Sequence, residues 1–344
     1  MKQVSIVMYH YVRELPYTRY PKIRALLASE FRAQLEYMSK YYEFVTMQEC
    51  MDAINANGDH FPGNAALLTF DDGYIDHFTT VFPILEERGI QGCFFPPAKA
   101  VIRHEVLDVN KIQFIRAVTN VADVVEDLYR CLDAERSHYQ LKSNEYYVAT
   151  LSQEPQRYDA SEDIFVKRLL QRELPRPLRE AIVQQLFEKY VTKDEAAFAR
   201  ELYMTPDQLR CMNRHGMYVG SHGYDHCWES LLEPSSQEQQ IQLSLDFLQA
   251  VGSPIDRWAI CYPYGLYNDS LLRLLKTYRC GIGLTSRVGI GRLTPDNAFT
   301  LERLDTNDLP KAADVQPCEW TRVAAGGMEA NTTVSIEGVE RRTE

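Results

Sequence analysis

Apolar positions along the chain switch between two periods. Ser5 to Tyr9 is a short, mostly apolar run, as expected of a buried strand. From Ser29 the spacing lengthens, and Phe31, Leu35, Met38 and Tyr42 fall on one helical stripe. Thr46 opens a second helix, with Glu49 three residues on in the arrangement of a capping box. Ala65 to Phe70 is again an apolar run, and it ends at two aspartates. His77 to Arg88 predicts a helix closed by Gly89, and Gln91 to Phe95 the next strand.

After Pro96-Pro97 the alternation stops. From about Lys111 to Arg200 nearly every stretch predicts helix, with breaks at Pro155, Pro175 and Pro177. This is a helical insertion at about residues 105–203. Thr205-Pro206 then starts a helix with an N-cap and an N1 proline, and Gly216 ends it. Met217 to Gly220, Trp258 to Tyr262 and Cys280 to Thr285 predict strands, separated by helices over Ser235 to Val251 and Asn268 to Tyr278. Strands alternating with helices imply an α/β fold with a parallel sheet or barrel. Residues 1–323 form one domain that includes the insertion, and residues 324–344, small and polar, predict a disordered tail.

Composition narrows the classes. Of the 344 residues, 45% are hydrophobic and 25% charged, as in an ordinary globular protein. A net charge of −11 argues against a grip on nucleic acid or anionic lipid. The N-terminus lacks the apolar core of a signal peptide, and no run approaches the roughly 20 apolar residues of a membrane span. A cytoplasmic location is expected. The eight cysteines are scattered without a Cys-x-x-Cys pair, which reads as reduced thiols. The pattern carries no signal of oligomeric state.

Candidate chemistry gathers where predicted strands give way to loops, the active face of parallel α/β folds. Asp71 and Asp72 are adjacent carboxylates that cannot both be buried and charged without partners. A metal would take one and leave the other as a base; a plain Asp-Gly turn is the alternative. His222 and His226, four apart, can direct two imidazoles at one ion, although that spacing also arises by chance. Asp225 between them orients a ligand or faces solvent. Tyr262-Pro263-Tyr264-Gly265 can line a cleft and offer a backbone N–H to an oxyanion, or be a plain turn. His10, after the first strand, is a structural residue or a proton donor.

Together, one Asp and two His make three ligands with one position open, the count of a catalytic zinc site. A bound metal would bring the pKa of a water to about 7 and polarise a carbonyl. A free carboxylate can then take the proton, and a histidine can protonate a leaving amine. Every part of a metal-assisted amide hydrolase is present.

These motifs resemble those of the polysaccharide deacetylases, the NodB-homology group of carbohydrate esterase family 4. Thr69-Phe70-Asp71-Asp72-Gly73 is similar to the family's first motif, which implies Asp71 as base and Asp72 as metal ligand. His222 to His226 is similar to the second, whose histidines complete the metal site. Tyr262-Pro263-Tyr264-Gly265 is similar to the third, which implies that the Tyr264 N–H helps build the oxyanion hole. The resemblance covers residues 1 to about 310 apart from the insertion. It implies a distorted (β/α)7 barrel, a divalent metal (zinc, with cobalt, nickel or iron also fitting the ligands) and removal of N-acetyl groups from an amino sugar.

The chain departs from the family in two places. Cys261 stands where many members carry an Arg, and no histidine follows His226, so a late catalytic acid is missing. A subgroup that begins with Met-Tyr-His, as in poly-N-acetylglucosamine deacetylases, is closer. There an N-terminal histidine supplies the acid, which implies that role for His10 of Met8-Tyr9-His10. Arg303 is the candidate for the charge that pairs with the base, with an ordinary surface Arg as the alternative. Two rival functions remain: hydrolysis of another C–N bond, in a formamide or cyclic amide, and sugar binding without catalysis.

Overall fold

A computed structural model describes residues 2–55, 61–152 and 161–326. Its sheet contains β1 (Gln3–Tyr9), β2 (Glu43–Phe44), β3 (Ala65–Asp71), β4 (Gly92–Phe95), β5 (Tyr218–Val219), β6 (Trp258–Cys261), β7 (Cys280–Val288), β8 (Gly291–Arg292) and β9 (Leu301–Asp305). The main path runs β5-β4-β3-β1-β9-β7-β6, with every neighbouring pair parallel. Its ends meet. Ser221, just past β5, bridges Ile260 of β6 in parallel. The Ser221 N–H donates to the Ala259 carbonyl at 2.9 Å, and the Cys261 N–H to the Ser221 carbonyl at 2.8 Å. The ring is visited in chain order, which is the distorted (β/α)7 barrel expected.

The local predictions hold where periodicity is clear. The first helix spans Ala28–Tyr41 and buries Phe31, Leu35 and Met38. The Thr46 N–H donates to Glu49 at 2.7 Å, while the Glu49 N–H donates to the Thr46 hydroxyl at 3.2 Å, the reciprocal bonds of a capping box. The periodicity misses the seventh barrel strand. In β9, Glu302, Arg303 and Asp305 break the apolar signature, so Leu301 to Asp305 reads as surface. The strand nonetheless pairs with both β1 and β7.

Alternation along each strand decides what faces the barrel interior. In β3, Ala65 and Leu67 join the interior cluster, while Ala66, Leu68 and Phe70 pack outward under the helices. Asp71 therefore falls on the inward side. The same count puts Cys261 inward after Ala259, Arg303 inward after Leu301, and His10 on the side of Val4 and Ile6. The C-terminal rim of the barrel thus collects polar side chains above an apolar floor.

Helices fill the described residues between β4 and β5, from Ala98–Arg103 to Pro206–Arg214. Pro177 lies at the start of Arg176–Tyr190, a break as expected; Pro155 lies outside the described residues. The insertion has its own core. Phe114 and Phe187 both meet Phe198 edge-on, at 4.8 and 5.3 Å between centroids. Tyr11 and Tyr74 of the barrel belong to that core, so the insertion is docked over the rim. Glu319–Ala324 is a helix whose Thr321 bonds to Tyr37 and Tyr42. Of the tail expected at residues 324–344, residues 327–344 lie outside the described residues. Among the described residues, no helix is long and apolar enough to cross a membrane.

Candidate metal and active site

Asp72, His222 and His226 converge at the rim. Each offers a ligand atom within 4.8 Å of the others, and all three side chains are buried. Asp72 takes a left-handed backbone (φ 71°), which swings its carboxyl away from the strand direction. Its Oδ1 lies 3.4 Å from His222 Nε2 and 3.3 Å from His226 Nε2. The His222 Nδ1 donates to the Cys261 carbonyl at 2.7 Å. In the neutral ring this leaves Nε2 as a lone-pair donor facing Asp72. Asp72 Oδ1 is buried with no hydrogen-bond donor among the described residues. A bare carboxylate oxygen facing two imidazole nitrogens is costly unless a cation joins them. The donor set, one oxygen and two nitrogens, fits a divalent transition metal.

Asp71 sits beside this cluster on the interior side and is gripped by Arg303. Arg303 Nη1 donates to Oδ1 at 3.0 Å and Nη2 to Oδ2 at 2.8 Å, with both residues 2% exposed. Arg303 is thus a buried partner of Asp71, not a surface residue. It is held in turn by the Thr285 carbonyl at 2.8 Å. The Cys261 thiol adds a contact to Asp71 Oδ2 at 3.3 Å. Burial pushes the Asp71 carboxyl upward, but Arg303, helped by His222, outweighs it and holds the carboxyl at about 2. Asp71 is therefore ionised throughout the neutral range.

His10 follows β1, one step beyond the Tyr9–Phe70 register pair that precedes Asp71. Its ring is half-buried, and its charge would help lower both Asp71 and Asp72. Its carbonyl accepts from His77 Nε2 at 2.8 Å. His77 is a residue that periodicity hides, because it reads as the first residue of a helix. Burial drives its pKa down to about 4, so the ring is neutral.

The third motif reaches the site unevenly. Tyr262 turns away, donating its hydroxyl to the Phe299 carbonyl at 2.9 Å. Pro263 packs beneath Gly223, where an added Cβ would come within 3.3 Å of it. Tyr264 is left-handed (φ 59°), and its ring stacks on Trp228 at 4.3 Å and leans on His226 at 5.0 Å. Trp228 gave no sequence signal. Beyond these rings opens a cleft of about 350 Å³ whose opposite wall, with Asp108, Arg176 and Arg179, comes from the insertion. Burial pushes the Asp108 carboxyl up to about 6. Asp225 lines this cleft and does not stand free in solvent. It lies 3.6 Å from Lys99 and 3.6 Å from Arg176, tying the histidine loop to the insertion.

The parallel barrel thus carries a buried Asp-His-His cluster at its C-terminal rim. A family model for polysaccharide deacetylase matches residues 180–281. That span holds His222, His226 and Tyr262 to Gly265; Asp71 and Asp72 lie outside it, across the insertion. YxkH of Bacillus subtilis, which bears a polysaccharide deacetylase name, is 28% identical over 101 residues, covering 29% of this chain. The match spans 33% of that protein's own length. Among solved structures, the deacetylase PplD of Streptococcus pyogenes, in complex with acetate, is 17% identical with a TM-score of 0.54, covering 88% of this chain and 92% of that one. IcaB from Ammonifex degensii is 21% identical with a TM-score of 0.52, covering 94% of this chain and 97% of that one. At these identities the two structures speak for the fold. The resemblance to polysaccharide deacetylases is borne out over residues 180–281, and so is the barrel expected from it.

Proposed function

We propose that this protein is a metal-dependent N-deacetylase of amino sugars, of the subgroup with an N-terminal Met-Tyr-His. One observation carries the reading: Asp72 Oδ1 is buried, without a donor, and faces both histidine Nε2 atoms beside the ionised Asp71.

Asp72, His222 and His226 would hold the metal, zinc by preference for this donor set, and it would acidify a water and polarise the acyl oxygen. Asp71 takes the proton of the attacking water. Arg303 keeps Asp71 charged and fixes the plane of its carboxylate. The Tyr264 backbone N–H holds the developing oxyanion. His10 gives its proton to the departing amine nitrogen. The sugar ring lies in the cleft between the Trp228–Tyr264 platform and the insertion, where aromatic faces and hydrogen-bonding side chains match a carbohydrate's apolar and hydroxyl surfaces. We place the substrate among surface-glycan precursors or oligosaccharides, met in the cytoplasm.

The test is acetate release from N-acetylated monosaccharides, oligosaccharides and nucleotide-linked sugars, with chelator and with added zinc. Chelator-sensitive acetate is expected. Formate or a ring-opened acid from the corresponding amides, with no acetate, would move the reaction to another C–N bond. Sugar binding without turnover in metal-loaded protein would make it a silent binder.

A further inference from the structure

The insertion reaches the metal ligand through a directional chain of buried hydrogen bonds. The Leu107 N–H donates to the Tyr203 oxygen at 3.0 Å. The Tyr203 hydroxyl donates to Asn110 Oδ1 at 2.5 Å. Asn110 Nδ2 donates to the Tyr74 oxygen at 2.7 Å. The Tyr74 hydroxyl donates to Asp72 Oδ2 at 2.5 Å. Tyr74 and Asn110 are fully buried, and Tyr203 is 2% exposed.

Each link fixes the polarity of the next. The Tyr203 oxygen accepts from the backbone, so its one proton goes to Asn110, which must present oxygen there and nitrogen to Tyr74. Tyr74, receiving a proton from the amide, is left with its own to give to Asp72. Asp72 Oδ2 is thereby occupied, and Oδ1 alone faces His222 and His226. Tyr11, stacked on Tyr74 at 3.8 Å, walls the chain from water.

We infer that Asn110, on the Asp108–Val118 helix of the insertion, is a positioning residue: through Tyr74 it selects the single Asp72 oxygen offered to the metal. The insertion is then part of the metal site's construction. The inference rests on the metal-site reading above. Removing a partner that orients a metal ligand costs about 10- to 100-fold in metal affinity.

The experiment titrates chelator-stripped full-length protein with cobalt(II) and with zinc, reading the cobalt absorption spectrum and the dissociation constant, with thermal unfolding as the check on folding. Tyr74→Phe deletes the bond to Asp72 with little change of volume. Asn110→Asp keeps the shape and the Tyr203 bond but reverses polarity, drawing the Tyr74 proton away from Asp72. Both are expected to weaken metal binding 10- to 100-fold and to alter the cobalt spectrum. Tyr11→Phe removes a hydroxyl that accepts weakly from Asn110 Nδ2, at 3.3 Å, but does not touch Asp72, and it is expected to stay within about threefold of wild type. Folded Tyr74→Phe protein with wild-type affinity and spectrum would overturn the positioning role alone. Wild-type protein that binds neither ion would overturn the metal reading and this inference with it.

Discussion

Arg303 and Asp71 form a two-pronged ion pair at the barrel mouth, from β9 to β3, with both partners almost fully buried. Removing the guanidinium alone strands a buried carboxylate, which costs about 3–5 kcal/mol. Arg303→Met should lose stability of that order in chemical denaturation, and the Asp71→Asn/Arg303→Met double variant should recover most of it. Arg303→Lys keeps the charge but loses the fork. Because Arg303 holds the Asp71 carboxyl down, its loss raises that pKa, and the acid limb of the kcat/KM profile should move to higher pH.

Asp71→Asn should abolish nearly all turnover while the protein folds and still binds zinc in a calorimetric titration. Near wild-type rates would remove Asp71 from the role of base.

His10→Ala should slow turnover of an N-acetyl sugar by about 10²- to 10⁴-fold. An acyl ester with a readily departing aryl alcohol needs little protonation of its leaving group, so the variant should lose far less there. Equal losses on both substrates would argue that His10 shapes the site and does not donate the proton.

His77 makes folding sensitive to mild acid. Its burial holds the folded-state pKa at about 4, below an unfolded value of about 6.5. Between these values the unfolded chain binds the extra proton, so stability is complete above pH 6.5 and falls as pH drops toward 4. The difference corresponds to about 3 kcal/mol. Denaturation midpoints measured across that window should fall with pH in wild type. A His77→Gln variant, which keeps a donor for the His10 carbonyl, should show a shallower slope there. Asp71 titrates lower, so its contribution is lost only below about pH 4.

Gly73 is irreplaceable for two independent reasons. Its φ is +70°, and an added Cβ would sit 2.6 Å from Pro96 Cβ. Gly73→Ala should destabilise by more than the roughly 1 kcal/mol of the left-handed backbone alone and should disturb Asp72 next to it. Alanine at Gly89, also left-handed but with open space around its Cβ, should show only the smaller cost. Thermal unfolding and zinc titration of the two variants would separate strain from collision.

Much of the site is legible without coordinates because its residues come in short local patterns. Asp71-Asp72 and His222-His226 each state their chemistry within a few positions. Arg303 shows the limit. Its strand carries charges where a barrel strand is usually apolar, and only the partner across the sheet explains why an arginine can be buried there. Trp228, His77 and Asn110 lie beyond that limit too. Nothing in their neighbours in sequence marks them, since Asn110 meets Tyr74 and Tyr203 from 36 and 93 residues away.

What the sequence determined by itself was therefore the alternation of strand and helix, the insertion, and the local motifs, all of which are set by periodicity and by neighbours along the chain. Ring closure, the burial of Arg303 against Asp71 and the hydrogen-bond line from the insertion to Asp72 were decided only in the tertiary structure. The physical reason is desolvation: a buried charge or amide is tolerable only where a partner satisfies it, and those partners are brought together by folding, not by sequence proximity.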